Sequence, residues 1–233
     1  MVQTTQAAGS YVTPRTFAFL RELAANNDRG WFEANKQRYL AEVRDPLLRF
    51  VADFAPRLAK LSKHMVADPR PVGGSLFRIY RDTRFSKDKS PYKTQVGMSF
   101  RHDAGRDVHG PVFYLHLEPG TVFAAAGLWH PPAEVLKQVR DAIAEHPEAW
   151  QRATRGRRGV VLDEDGGSLK RPPRGYDPEH PFVDDLRRTS FTSSTSFSQK
   201  HACAADFPAR FAEACRAKAP LMQFLTGAVG LPF

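Results

Sequence analysis

The chain has 233 residues, 42% of them hydrophobic and 11% aromatic, enough apolar side chain for one sizeable packed core. No apolar run reaches the roughly 18 to 20 residues a membrane helix needs, and the polar stretch 1–10 lacks a basic region followed by an apolar one. Neither a membrane span nor a secretory leader is therefore expected, and the cytoplasm is the default location. The formal charge of +9 is concentrated: residues 78–101 hold seven basic and two acidic side chains, residues 152–174 hold seven basic and three acidic, and the remainder balances.

Residues 1–12 read as a flexible tail ahead of a single domain over 13–233. Thr13-Pro14 has the form of an N-cap with proline in the first turn, and Phe17, Leu20, Leu23 and Ala24 recur at helical spacing. Asn26-Asn27-Asp28 breaks that helix and caps a second carrying Trp31, Phe32, Tyr39 and Val43. Pro46 opens a third with Leu47, Phe50, Val51, Phe54, Leu58 and Leu61, in which Pro56 predicts a kink or a break.

From Ser75 the period changes to alternation. Phe77 and Ile79 are expected on one face of a strand, with Arg78, Tyr80 and Asp82 on the other, then Val96, Met98 and Phe100 against Gln95, Ser99 and Arg101. Strands over 112–117 and 121–126 are joined by Glu118-Pro119-Gly120-Thr121, a type II turn sequence. Pro131-Pro132 and Pro147 open further helices, and 155–180 reads as a mobile loop with a short strand near 160–162. A short helix from His180-Pro181, a strand over Phe191 to Phe197 and one closing helix from Phe207 to Thr226 complete the chain. Helices, then strands, then helices predict an α+β fold, an antiparallel sheet covered by helices. Cys203 and Cys215, twelve residues apart, read as reduced thiols.

The run from Arg78 to Lys93 carries six cations, two carboxylates and two tyrosines. Guanidinium forks and ammonium point charges at this density suit an anion. One reading is a cradle for a phosphate- or carboxylate-bearing small molecule formed by Arg78, Arg81, Arg84, Lys89 and Lys93, with Asp82 and Asp88 orienting the arginines and Tyr92 as a hydrogen-bonding wall. Another is an ion-pair network pinning a long hairpin loop, with Phe85 as its apolar plug. A third joins this run to Arg152, Arg155, Arg157, Arg158, Lys170, Arg171 and Arg174 as a phosphate-contacting surface for nucleic acid. His102, His109 and His116 with Asp103 and Asp107 match no compact metal spacing, so no metal is expected; His116 and Glu118 share a strand face. No Ser-His-Asp order or glycine-rich phosphate loop is present, so neither a cofactor nor a reaction is specified. Any chemistry here would be transfer or hydrolysis at an anionic group, with arginines stabilising developing charge.

In Arg78, Arg81, Asp82, Arg84, Phe85, Asp88, Lys89 and Tyr92 the chain resembles a bacterial family of conserved hypothetical proteins, a domain of unknown function marked by this signature. The likeness extends to Asn26 through Phe32, Gly127 through Pro131, Leu169 through Tyr176 and His180-Pro181. It implies membership but brings no established activity.

Overall fold

The computed structural model describes residues 10–105, 109–155, 160–164 and 166–233. Most of the tail expected over 1–12 lies outside the described residues, as do residues 156–159 and 165 of the expected mobile loop. Helix α1 spans Pro14–Ala25, and the Thr13 and Thr16 side chains satisfy its first backbone donors reciprocally. Helix α2 spans Arg29–Tyr39, with the Asp28 carboxylate accepting the Trp31 N–H.

A break was expected before Pro46. Instead Leu40–Arg44 forms a π-helical turn leading directly into α3, Asp45–Ala59. The wider turn accommodates a proline that has no N–H to give the helix ladder. Pro56 does not break α3 either: it sits in the last turn, where few hydrogen bonds remain to be lost, and Leu47, Phe50, Val51, Phe54 and Leu58 stay buried along one stripe.

The sheet is antiparallel throughout, in the order β1 (Met65–Val66), β2 (Val96–His102), β3 (Val112–Glu118), β4 (Thr121–Leu128), β5 (Phe191–Phe197). Gly120 takes the positive φ of 89° that the β3–β4 turn demands. Helices α4 (Ala133–Glu145), α5 (Pro147–Thr154) and α6 (Val183–Leu186) follow their expected places, and a short helix that was not expected, α7 (Gln199–Ala202), follows β5, with the Ser198 side chain accepting the His201 N–H. The single closing helix is instead two, α8 (Phe207–Ala217) and α9 (Ala219–Ala228), because Pro220 restarts the helix at its own first turn.

All the helix packing falls on one face of the sheet. Phe54 of α3 meets Phe100 of β2 at 5.1 Å and Phe211 of α8 at 4.9 Å between ring centroids. A second cluster joins Val139, Ile143 and Trp150 to Phe191, Leu221 and Leu225. Each fully buried aromatic or aliphatic side chain of this kind contributes roughly 1.5–3 kcal/mol. Val96, Met98 and Phe100, then Phe113, Leu115 and Leu117, then Val122, Ala124 and Ala126 supply the sheet's share. The intervening residues point to the opposite face, which no helix among the described residues covers. No helix among the described residues is long and apolar enough to cross a membrane.

Candidate functional site

The cationic run is a hairpin hung on the sheet edge. Lys93 N donates to Ile79 O at 2.7 Å and Arg81 N to Pro91 O at 2.9 Å, with Tyr80 opposite Tyr92. Upstream, Phe77 N donates to Gly97 O of β2. The chain thus changes partner between Phe77 and Ile79, and this breaks the expected alternation. Ile79 enters the core while Phe77 lies on the open sheet face.

Within the hairpin both carboxylates are paired with arginines. Arg81 pairs with Asp88, and Arg84 takes both Asp82 oxygens, Nη2 to Oδ2 at 2.7 Å and Nε to Oδ1 at 3.0 Å. The Ser90 hydroxyl and N–H, with Arg81, hold the Asp88 carboxyl well below the usual carboxylate range, and hydrogen bonds from Arg84 lower that of Asp82. Lys89 Nζ donates to Thr83 O and Lys93 Nζ to Arg78 O; among the described residues no carboxylate lies within ion-pair distance of Arg78, Lys89 or Lys93, though the Arg78 charge also acts on Asp82. Tyr92 is buried, its ring stacked on Phe32 at 4.1 Å. The expected plug, Phe85, is 96% exposed: the hairpin tip projects beyond the core, with the Arg84 guanidinium 5.8 Å from the Phe85 ring centroid.

The open sheet face forms a cleft of about 960 Å³. Its floor alternates up from Ser99 and Arg101 of β2, Tyr114 and His116 of β3, Phe123, Ala125 and Gly127 of β4, and Thr192, Ser194 and Ser196 of β5. Trp129, His130 and Pro131 rise at one end. His130 adopts φ 43°, a left-handed conformation uncommon outside glycine, held by its N–H to Ser190 Oγ at 2.9 Å. Two glycines shape the floor: a Cβ on Gly97 would lie 2.7 Å from Tyr114 Oη, and one on Gly127 would lie 1.9 Å from Phe191 O.

Hairpin and cleft meet at Phe77. The Lys93 ammonium lies 5.5 Å and the Arg101 guanidinium 5.8 Å from its ring centroid. Burial and the neighbouring Arg78 lower the Lys93 pKa. On the floor, Tyr114 Oη lies 3.2 Å from His116 Nδ1, and His116 Nε2 lies 3.2 Å from Glu118 Oε2: the two residues expected to share a strand face are also in hydrogen-bond contact. Asp163 stands beside β5, accepting from Ser194 N at 2.9 Å and Ser194 Oγ at 2.8 Å.

Residues 15–224 match the family model described as Conserved hypothetical protein (DUF2461). The chain belongs to the DUF2461 family. The matched span runs from α1 into α9 and takes in both hairpin and cleft. No curated protein and no solved structure matches the chain.

In this DUF2461 fold the two basic segments hang on different sheet edges. The hairpin borders β2, whereas residues 160–163 run beside β5, where Asp163 N donates to Thr192 O. β2 and β5 are three strand spacings apart, about 14 Å. Of the second segment, Arg157 and Arg158 lie outside the described residues, and Arg155 is drawn inward to the buried Asp185, which also accepts from Trp150 Nε1 at 2.8 Å. Among the described residues one group has metal-like spacing, His64, His102 and Asp103. Both His102 nitrogens are already engaged, Nε2 with Pro232 O at 2.9 Å and Nδ1 with the Ala104 N–H at 3.0 Å, so this group does not offer three open ligands.

Proposed function

We propose that the protein binds a small molecule bearing a carboxylate or phosphate, seated in the cleft on the open sheet face with its acid group at the Phe77–Arg101 corner. The single observation that carries this reading is the meeting of a large, partly apolar cleft with a cationic rim at one aromatic ring. Phe123, Ala125 and Trp129 suit an apolar body, and Ser99, Arg101 and Tyr114 suit an oxyanion. In this reading the hairpin is the rim: Arg78, Lys89 and Lys93 lend charge, Asp82 and Asp88 fix Arg84 and Arg81, and Tyr92 anchors the whole against α2.

The test is thermal stability of the full chain against benzoate and phenyl phosphate, each compared with its neutral analogue, and repeated in Arg101→Gln. A ligand at ten times its dissociation constant adds about 1.4 kcal/mol, or roughly 4 °C for a protein of this size. The acids are expected to stabilise, the neutral analogues not, and Arg101→Gln to lose the shift. Equal shifts for acid and neutral analogue, or none for either acid, would sink the reading.

The exposure of Phe85 beside Arg84 favours a second reading, stacking on a single-stranded nucleic acid. It predicts oligonucleotide binding that weakens steeply with salt and is lost in Phe85→Ala.

A further inference from the structure

Tyr114, His116 and Glu118 alternate onto the open face of β3, and their side chains are joined in a line. A carboxylate only accepts, so His116 Nε2 carries a proton toward Glu118; in the neutral imidazole Nδ1 is then left to accept the Tyr114 O–H. The His116 side chain is 9% exposed and lies flat on Phe123, ring centroids 4.7 Å apart and planes 12° from parallel. Gly97 stands opposite in the ladder, and the bare backbone there leaves room for Tyr114 Oη.

Protonating His116 reverses the first of these bonds. Nδ1–H then donates to Tyr114 Oη, and the phenolic hydrogen is released toward the cleft. Tyr114 itself keeps its proton, since burial and Glu118 push its pKa up to about 12. With neutral imidazole the phenol therefore offers an incoming anion only lone pairs; with imidazolium it offers a donor. Ser99, which faces Tyr114 across the ladder, accepts from Arg101 Nε at 3.4 Å, so a fixed cation and the reversible phenol border the same region.

We propose that Tyr114, His116 and Glu118 are a proton-coupled oxyanion site, in which the ligand's acid group is held by the Tyr114 O–H and one proton is taken up on His116 Nδ1. This rests on the cleft reading above and gives it a mechanism. One proton passes from solvent to Nδ1, and otherwise only hydrogen bonds change. Affinity is present with imidazolium and is lost as pH rises and the imidazolium gives up that proton. Beside β3 on this face stand Arg101 of β2, Phe123, Ala125 and Gly127 of β4, and Phe77, whose ring lies 6.1 Å from that of Tyr114 and carries the Lys93 ammonium; His102 reaches the cleft from the end of β2. Among the described residues, His109, His130 and Asp163 are the other ionisable groups lining the cleft. His102 is held by Pro232 O and the Ala104 N–H, and Asp163 by Ser194.

The test is calorimetric titration of the full chain with benzoate and with phenyl phosphate at pH 5.5, 6.5 and 7.5, in buffers of differing ionisation enthalpy. Benzoate, which does not itself titrate there, is expected to bind with uptake of about one proton and up to about a tenfold loss of affinity per pH unit. Phenyl phosphate binding without benzoate binding would assign the site to phosphate, its uptake then read after subtracting the probe's own proton. Tyr114→Phe keeps the ring and removes the hydroxyl; it is expected to bind more weakly and without that pH dependence. Should a probe bind wild type and Tyr114→Phe with the same pH profile, the proton coupling is overturned and the cleft reading stands. If neither probe binds, both fall. Independently of any probe, ¹⁵N resonances of neutral His116 are expected to show Nε2–H, a preference lost in Glu118→Leu, which removes the acceptor; the Nδ1–H tautomer in wild type would overturn the proposal.

Discussion

The Asn27 carboxamide binds both backbone groups of Tyr92, Nδ2 donating to its carbonyl at 2.9 Å and Oδ1 accepting its N–H at 3.1 Å. One side chain thus acts as a short strand would, stapling the α1–α2 corner to the cationic hairpin across 65 residues of sequence. The stacked Phe32 and Tyr92 rings lie beneath the staple.

Asn27→Ala leaves both groups without this partner, and the loss is expected to be about 2 kcal/mol. Asn27→Asp keeps the acceptor and loses the donor, and should fall between. Urea unfolding measures both, and an Asn27→Ala midpoint equal to wild type would show that water replaces the staple.

Three glycines are expected to rank by what a methyl group would meet. Gly120→Ala enters open space at φ +89° and should cost about 1 kcal/mol in backbone strain. Gly97→Ala presses on Tyr114 Oη and on Phe77 Cδ2, 2.9 Å away, for about 1–3 kcal/mol of overpacking. Gly127→Ala combines φ +125° with the Phe191 carbonyl 1.9 Å away and should cost about 3 kcal/mol or more. Melting temperatures in that order support the account of the cleft floor; Gly97→Ala as benign as Gly120→Ala would contradict it.

Phe85→Ser is expected to change stability by less than about 0.5 kcal/mol, since the ring is already in solvent. A loss near 2 kcal/mol would mean that Phe85 packs as the plug its hydrophobicity suggests.

For acid stability the sign follows from the depressed pKa of Asp88. Its contribution is present above the unfolded carboxylate value, near 4, and is lost as pH falls through the lower folded value. Asp88→Asn should therefore be less stable than wild type at pH 5, with the gap closing toward pH 2 and shrinking in high salt, as befits an exposed pair. A gap constant with pH would remove the Arg81–Asp88 pair from the explanation.

Much of the architecture is legible because it is local. Capping residues, prolines in first turns and period-two alternation place most helices and the β2 to β5 strands, and Pro119-Gly120 identifies the hairpin. Alternation also puts His116 with Glu118 and leaves Ser99 and Arg101 opposite the core. Tyr114, one more step along the same face, was open to the same reasoning and was missed. What alternation cannot say is which strand face the helices cover, and the cleft exists because one face stays bare. Phe77 and Ile79 mislead for a related reason: their spacing is that of one strand, but the segment leaves β2 between them to pair with residues 91–93. Contacts such as Asn27 with Tyr92 and Asp163 with Ser194 depend on the assembled fold and have no local signature.

Mapping of amide chemical shifts on adding benzoate tests the central claim most directly. The account predicts changes gathered at Gly97, Ser99, Ala125 and Gly127 along the cleft floor, and their disappearance in Arg101→Gln. Changes confined to the hairpin tip over residues 82–90, with the floor silent, would contradict it.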